Sequence, residues 1–407
     1  MISQIDTDEI VIQIGKELDI NADIFSDASI EYGEMGAALF YYYYQSYFDD
    51  DNALLKAESA IEKSIDMLSK ISFENQNPLK FNGDSISLSL SSFGKGLLFI
   101  QSNFEKQYDF SENYSYLSDV LDTMTDQSLK RKDYDYFSGS LAPGYYFLNQ
   151  YKYSADPMCQ YVLHKIVDSI LENAVNFNKD EVYWKSPVYN NQIYLGLSHG
   201  SAMIINFLTK ITELKVCKED CEEIKNIVYK AILFVLNRER YVSNGIFPHK
   251  HSPRESYAET QLSMCYGDLG ILYAINNAIK IFDFKEFDEK IQKLLFVTSK
   301  RKLDKTHTQD ASILYGCSGL YYIYKEIYNR TYDKAYLASC EYWYQQIFSF
   351  RNPEKKTLAG FQFEYEDDRK VDGSAKFSFL WGLSGIGITL MQGSNKSLPQ
   401  LNELLLI

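Results

Sequence analysis

Leu195-Gly-Leu-Ser-His-Gly200-Ser-Ala-Met-Ile-Ile-Asn-Phe-Leu208 sets a turn of small residues directly ahead of an apolar run. The same arrangement recurs along the chain. Gly33-Glu-Met-Gly36 leads into ALFYYYY, Phe93-Gly-Lys-Gly96 into LLFIQSNF, and Gly139-Ser-Leu-Ala142 into PGYYFLNQY. Gly267-Asp-Leu-Gly270 leads into ILYAINN, Gly316-Cys-Ser-Gly319 into LYYIYKEIY, and Gly382-Leu-Ser-Gly385 into IGITL. With Gly200-Ser-Ala-Met203 there are seven copies, starting 60, 46, 61, 67, 49 and 66 residues apart. Each interval has room for two helices and their connections, so the unit is a repeat and decides the fold.

A second class of segment lies between the turns. Asp51–Ile71, Asp156–Phe177, Asp220–Arg238 and Asp333–Phe350 carry apolar residues at three- and four-residue spacing with Lys and Glu between. That spacing predicts helices with one buried face, whereas the turn-following runs are apolar nearly all round and predict inner helices. Seven inner and seven outer helices make an all-α protein, an α/α toroid, with the turns gathered on one face. Glycine at the inner N-termini lets the backbone turn sharply and approach its neighbours. Such helix starts also expose N–H groups to which an oxyanion could bind. Glu239–Glu255 and Ala359–Gly373 break the rhythm and read as loops or ribbons. No low-complexity linker interrupts the chain, which reads as a single domain over residues 1–407.

The totals bound the partners. The 407 residues are 45% hydrophobic with a net charge of −14, which disfavours nucleic acid and anionic membranes and suits a basic peptide. The acidic N-terminus lacks the character of a signal peptide, and no stretch is long and apolar enough for a membrane span. Six cysteines without scaffold spacing fit a reducing cytoplasm. The 34 tyrosines, with an unbroken run at Tyr41–Tyr44, read first as packing of buried helices and second as rings lining a peptide-binding cavity.

In the strings G-L-S-H-G (196–200), C-Y-G-D-L-G (265–270) and F-L-W-G-L-S-G-I-G (379–387), the sequence resembles the lanthionine synthetase C-like cyclases. The likeness runs through all seven turns. It implies an α/α toroid that adds a peptide cysteine thiol to dehydroalanine or dehydrobutyrine, closing thioether rings. It further implies a dehydrated precursor peptide as substrate and allows a lanthipeptide dehydratase as partner. Carried over residue by residue, the pattern places the family's histidine on His199 and the aspartate before the third turn on Asp135. Its first zinc cysteine falls on Cys265 and the following tyrosine on Tyr266. The other two zinc ligands fall on Leu314 and Tyr315, and the family's arginine falls on Gln261. Zn2+ is the family's cofactor, yet this chain keeps one ligand in three, so no metal is expected there.

That loss bears on the chemistry. A free thiol with a pKa of about 8.5 is only about 3% thiolate at neutral pH, and zinc would deprotonate it. Replacement ligands are Cys317 inside the sixth turn or His249-Lys-His251 with Glu255 and Glu259 downstream. Packing is the simpler reading of Cys317, and solvation of the His-x-His. Cys217 and Cys221 read as structural residues on one face of an outer helix with no histidine near. His199 beside Asp135 would be a carboxylate-oriented imidazole suited to proton transfer, with Tyr266 as hydrogen-bond donor and Cys265 against the peptide thiol. Two functions therefore stand: a zinc-independent cyclase, and a non-catalytic scaffold that holds the peptide or a dehydratase. A glycoside hydrolase ranks below both, because the turns offer only Asp135 and Asp268 as acids.

Overall fold

The computed structural model describes residues 4–70, 85–104, 111–240, 245–252, 260–363 and 373–407. Fourteen α-helices run through these residues. The first seven are α1 (Gln4–Ile20), α2 (Glu34–Phe48), α3 (Asp51–Ser69), α4 (Ile86–Asn103), α5 (Ser111–Lys130), α6 (Leu141–Ser154) and α7 (Pro157–Glu172). The remainder are α8 (Ser201–Glu213), α9 (Cys221–Leu236), α10 (Asp268–Phe282), α11 (Lys285–Ser299), α12 (Cys317–Thr331), α13 (Lys334–Ile347) and α14 (Leu383–Ser394). Two short antiparallel pairs accompany them: β1 (Val175–Asn176) with β2 (Val182–Tyr183), and β3 (Ile193–Tyr194) with β4 (Lys250–His251). No described helix is long and apolar enough to cross a membrane.

Even- and odd-numbered helices differ as their sequences demand. α10 buries thirteen of its fifteen residues, whereas α11 buries Phe287, Ile291, Leu295, Thr298 and Ser299, the one stripe its period allows. Each buried Leu, Ile or Phe in such a stripe contributes about 1.5–3 kcal/mol. The two classes also begin differently. Asp50, Asp156 and Asp333 accept from the backbone N–H two residues on and cap α3, α7 and α13. Glycine starts α2, α8, α10, α12 and α14 without a side-chain cap.

The glycines are required by close approach. A Cβ on Gly33, Gly139, Gly200, Gly267, Gly316 or Gly382 would lie between 1.7 and 2.4 Å from an atom of the residue six positions upstream. The six-residue turn folds back onto the helix start, and only Gly267, at φ +88°, also needs a left-handed backbone. This corrects one expectation. The N–H groups of Glu34, Ser140, Ala202 and Cys317 donate to the carbonyls of Asp27, Asp133, Leu195 and Asp310. At each of these turns one helix-start donor is taken up by the turn itself, which narrows the set that could face an oxyanion.

A second correction concerns Phe93–Gly96. α4 begins eight residues before Gly94, where Ser85 caps it, and runs through the whole string. Lys95, Gly94 and Gly96 lie inside that helix, buried, with Lys95 Nζ 3.7 Å from Glu31. Gly96 is small because Met35 presses on it, not because the chain turns. Short links complete the pattern. α2 to α3, α6 to α7, α10 to α11 and α12 to α13 are each joined by two residues, the first left-handed: Asp49, Ala155, Asp283 and Tyr332.

The residues group into two compact units. One comprises 1–78, 82–114 and 309–407, the other 79–81 and 115–308. In the first, α14 packs on both α1 and α2, and Tyr43 donates to the Pro399 carbonyl at 2.7 Å, so the early and late parts of the chain share one core. Tyr42 and Tyr43 of the tyrosine run are buried there. In the second unit α8 and α10 pack side by side, with α9 and α11 against them. Residues 241–244, 253–255 and 364–372 of the two stretches read as loops lie outside the described residues, as do 256–259, so Glu255 and Glu259 are both beyond description.

Candidate active site

The second unit gathers its chemistry at the turns ahead of α6, α8 and α10. Gly196 fixes the approach of the last two: a Cβ there would sit 2.7 Å from the Cys265 carbonyl. Gly270 in turn lies against Leu197, where a Cβ would be 3.0 Å from the leucine Cβ. The strings around His199 and Cys265 are therefore in contact because both are built of residues small enough to interlock. His199, immediately before Gly200, is carried on the α8 turn and Asp135 on the α6 turn.

His199 Nδ1 stands 2.7 Å from Asp135 Oδ2, and both side chains are almost fully buried, at 7% and 1%. Asp135 Oδ1 accepts from the Phe137 N–H at 2.8 Å, so the carboxylate is held from both ends. The ring of His199 also reaches the Cys265 side chain. Tyr189 brings its hydroxyl to 3.1 Å from His199 Nδ1, and Ser186 donates to the His199 carbonyl. Phe137, Tyr194 and Tyr266 place their rings 5.3, 6.0 and 5.9 Å from the imidazole. Asp135, His199, Cys265 and Tyr266, carried by three turns, thus come together around one imidazole.

Electrostatics follow from this burial. Desolvation alone would lower the His199 pKa, but the Asp135 carboxylate and the Cys265 side chain outweigh it and raise the ring to about 10. The direction of this shift favours the charged imidazolium at neutral pH. Asp133 accepts from the Asp135 N–H and from Ser138 Oγ, and burial together with Asp135 pushes its carboxyl up to about 6. Burial and Asp135 hold the Tyr189 phenol far above its ordinary range, so it remains a neutral hydrogen-bonding group.

His249 does not behave as a solvated loop residue. Its carbonyl accepts from Leu195 N–H, extending the β3–β4 pairing, and its ring stacks on Tyr266 at 4.6 Å and 20°. Burial, Arg240 and Lys250 lower its pKa, and its buried Nε2 has no hydrogen-bond partner. His251 packs edge-on against Phe177 and Phe234. The pairing of β4 with β3 explains both, because it lays the segment onto the aromatic surface. Tyr189 and Arg240 were not singled out in the sequence, and His249 was singled out there only as a candidate metal ligand on a solvated loop. They come from segments without turn-like strings, and the Asn190-Asn191 pair after Tyr189 was the only local signal of a tight turn.

Asp268 is structural. It accepts from the Ile246 and Phe247 N–H groups and pairs with Arg301 at 2.6 Å, fully buried. Cys217 is not on a helix, since α9 starts at Cys221, and His164 lies close to it. Chain separation hid that histidine from the sequence reading.

Helices alternately buried all round and on one stripe, with a buried His–Asp pair delivered by glycine turns, define an α/α-toroid protein. The solved structure titled "Nisin cyclase" has this fold: it matches with a TM-score of 0.72 and 16% identity, over 99% of this chain and 98% of that one. The sequence pattern of the lanthionine synthetase C-like proteins matches residues 25–406, and the chain belongs to that family. A second structure, titled "Structural Analysis of C. acetobutylicum ATCC 824 Glycoside Hydrolase From Family 105", matches with a TM-score of 0.45 and 13% identity over 94% of this chain and 98% of that one, too loosely to bear on function. No curated protein sequence matches the chain.

The family typically binds zinc. The residues at this chain's counterpart positions do not fit that ion. Leu314 carries no donor atom and is buried, and Tyr315 offers only a phenol. Among the described residues, no group of three His, Cys, Asp or Glu side chains with converging donor atoms includes Cys265, Cys317, His249 or His251. Burial and Asp310 keep the Cys317 thiol well above its ordinary pKa, so it is a protonated packing residue at the start of α12.

Proposed function

We propose that this chain is a lanthipeptide-maturation protein of the cyclase type that closes thioether rings without the family's zinc. The family and the fold support the general class, and the His199–Asp135 pair at 2.7 Å carries the specific reading. Adding a cysteine thiol to dehydroalanine or dehydrobutyrine forms a C–S bond at Cβ and leaves an enolate that must gain a proton at Cα. An imidazolium held charged by a buried carboxylate supplies that proton and stabilises the developing oxyanion. The proton given up by the peptide thiol returns the ring to its charged state, so the cycle balances without a metal. The same positive charge beside an incoming thiol favours its thiolate, the part zinc would otherwise play.

In this reading Asp135 orients and charges His199, Tyr189 and Tyr266 frame the ring, and Cys265 marks the peptide-thiol side. Holding thiol and alkene side by side would account for much of the rate on its own, since the addition has an intrinsic rate. We place the protein in the cytoplasm as a single functional domain, with a dehydrated precursor peptide as substrate and a dehydratase as partner. The burial of His199 and Cys265 and the missing zinc donors favour a second reading, a scaffold that binds the peptide without turnover. Ring closure of a dehydrated peptide, followed by loss of alkylatable thiol, separates the two. A cyclase accelerates closure and His199→Ala removes the acceleration, whereas a scaffold binds the peptide and leaves its closure rate unchanged.

A further inference from the structure

Away from those turns, α7 and the segment joining α8 to α9 bring His164, Cys217 and Asp220 together. Their donor atoms lie within 4.8 Å of one another, the only such group of three His, Cys, Asp or Glu among the described residues. The ring of His164 is already oriented. Its Nε2 stands 3.3 Å from the Val216 carbonyl, and Gln160, one turn earlier, donates to the same oxygen at 2.9 Å. A carbonyl only accepts, so Nε2 donates to it and Nδ1 faces the other donors across the ring. That Nδ1 lies 3.7 Å from Asp220 Oδ2.

One ring nitrogen fixed on a backbone carbonyl and the other directed at further donors is how metal-binding histidines are held. Arms of about 2.0 Å in a tetrahedron set nitrogen and oxygen about 3.3 Å apart, so the observed pair needs to close only slightly around an ion. Asp168, one turn beyond His164, adds negative potential at both Asp220 and Cys217; burial and then Asp220 and Asp168 push the Cys217 thiol up to about 12, so it ligates only where a bound ion displaces its proton. Cys221 Sγ donates to the Cys217 carbonyl at 3.3 Å, placing a second sulfur beside the group. Cys217 is buried, while His164 and Asp220 keep about a third of their side-chain surface open, which leaves a route for an ion.

We propose that His164, Cys217 and Asp220 bind a zinc ion through Nδ1, Sγ and one carboxylate oxygen, with Asp168 or solvent in the fourth position. The ion ties α7 to the start of α9. It is separate from the counterpart positions of the family's zinc, none of whose residues takes part. Mixed nitrogen, sulfur and oxygen donors in a tetrahedral set select zinc over magnesium or calcium.

Cobalt titration of the chelator-treated full chain tests this, because tetrahedral Co2+ reports thiolate ligation by a near-ultraviolet charge-transfer band. Wild type should take up one Co2+ per chain with that band, and Zn2+ should displace it. Cys217→Ser should abolish the band, and Cys265→Ala should leave it intact. His164→Asn, at a half-exposed position, should weaken binding by at least the roughly 10–100-fold that loss of an outer-shell partner costs. Circular dichroism confirms that each variant folds; should Cys217→Ser fail to fold, His164→Asn still decides. Absence of a thiolate band in wild type, its loss with Cys265→Ala, or unchanged affinity in His164→Asn overturns the proposal.

Discussion

Replacing Asp135 by Asn should uncharge His199 while leaving its surroundings in place. Asn keeps an oxygen for the Phe137 N–H and nearly the same volume, so the substitution removes charge rather than packing. A ring held at about 10 instead of its ordinary 6.5 is favoured in its charged form by roughly 5 kcal/mol. Without the carboxylate, desolvation dominates and the ring becomes neutral at pH 7. The sign of the accompanying stability change is fixed. A raised histidine pKa contributes stability that is complete below about 6.5 and is lost as pH rises toward 10. Wild type should therefore lose stability across that window more steeply than Asp135→Asn. Histidine-selective nitrogen NMR reads the protonation state directly, with five histidines to assign. A wild-type His199 that titrates near 6.5, or a ring still charged at pH 7 in the variant, would refute the reasoning.

Gly200→Ala should cost about 1–3 kcal/mol or more, because its Cβ would stand 2.3 Å from the Tyr194 carbonyl group, and displacement of His199 should abolish ring closure; urea denaturation and the thiol assay check both. Ala155→Gly should raise stability by about 0.5–1 kcal/mol, since this exposed residue adopts φ 49° between α6 and α7; a lower midpoint in denaturant would contradict it. Binding of a basic precursor peptide to a chain of net charge −14 should weaken as salt rises, because exposed charges are screened within about 8 Å at physiological ionic strength; fluorescence anisotropy at two salt concentrations reads the change.

The helical repeat was legible because its two signals are local. Gly-x-x-Gly ahead of an apolar run and Asp ahead of an amphipathic one mark the two kinds of helix start. Phe93–Gly96 misled because glycine serves close packing inside α4 as readily as it serves a turn. The positions of His199, Asp135, Cys265 and Tyr266 could be named from their strings, yet their charge state could not. It depends on how deeply two turns 64 residues apart bury one another. Tyr189 stayed hidden, and the packing of His249 on Tyr266 with it, because β3–β4 pairing and a short 3-10 turn place them, and neither has a pattern longer than a few residues. The His164–Cys217 approach depends on α7 lying against α9, a tertiary fact without a local signature.

Ring closure measured in the presence of a strong zinc chelator tests the central claim most directly. Dehydrated precursor peptide is supplied to chelator-treated wild type, and loss of free thiol is followed by alkylation and mass spectrometry. The account predicts acceleration over peptide alone, unchanged by the chelator or by His164→Asn, and lost in His199→Ala. Closure that stops on chelation and returns with zinc, in wild type but not in Cys265→Ala, would contradict it and restore the metal to the site.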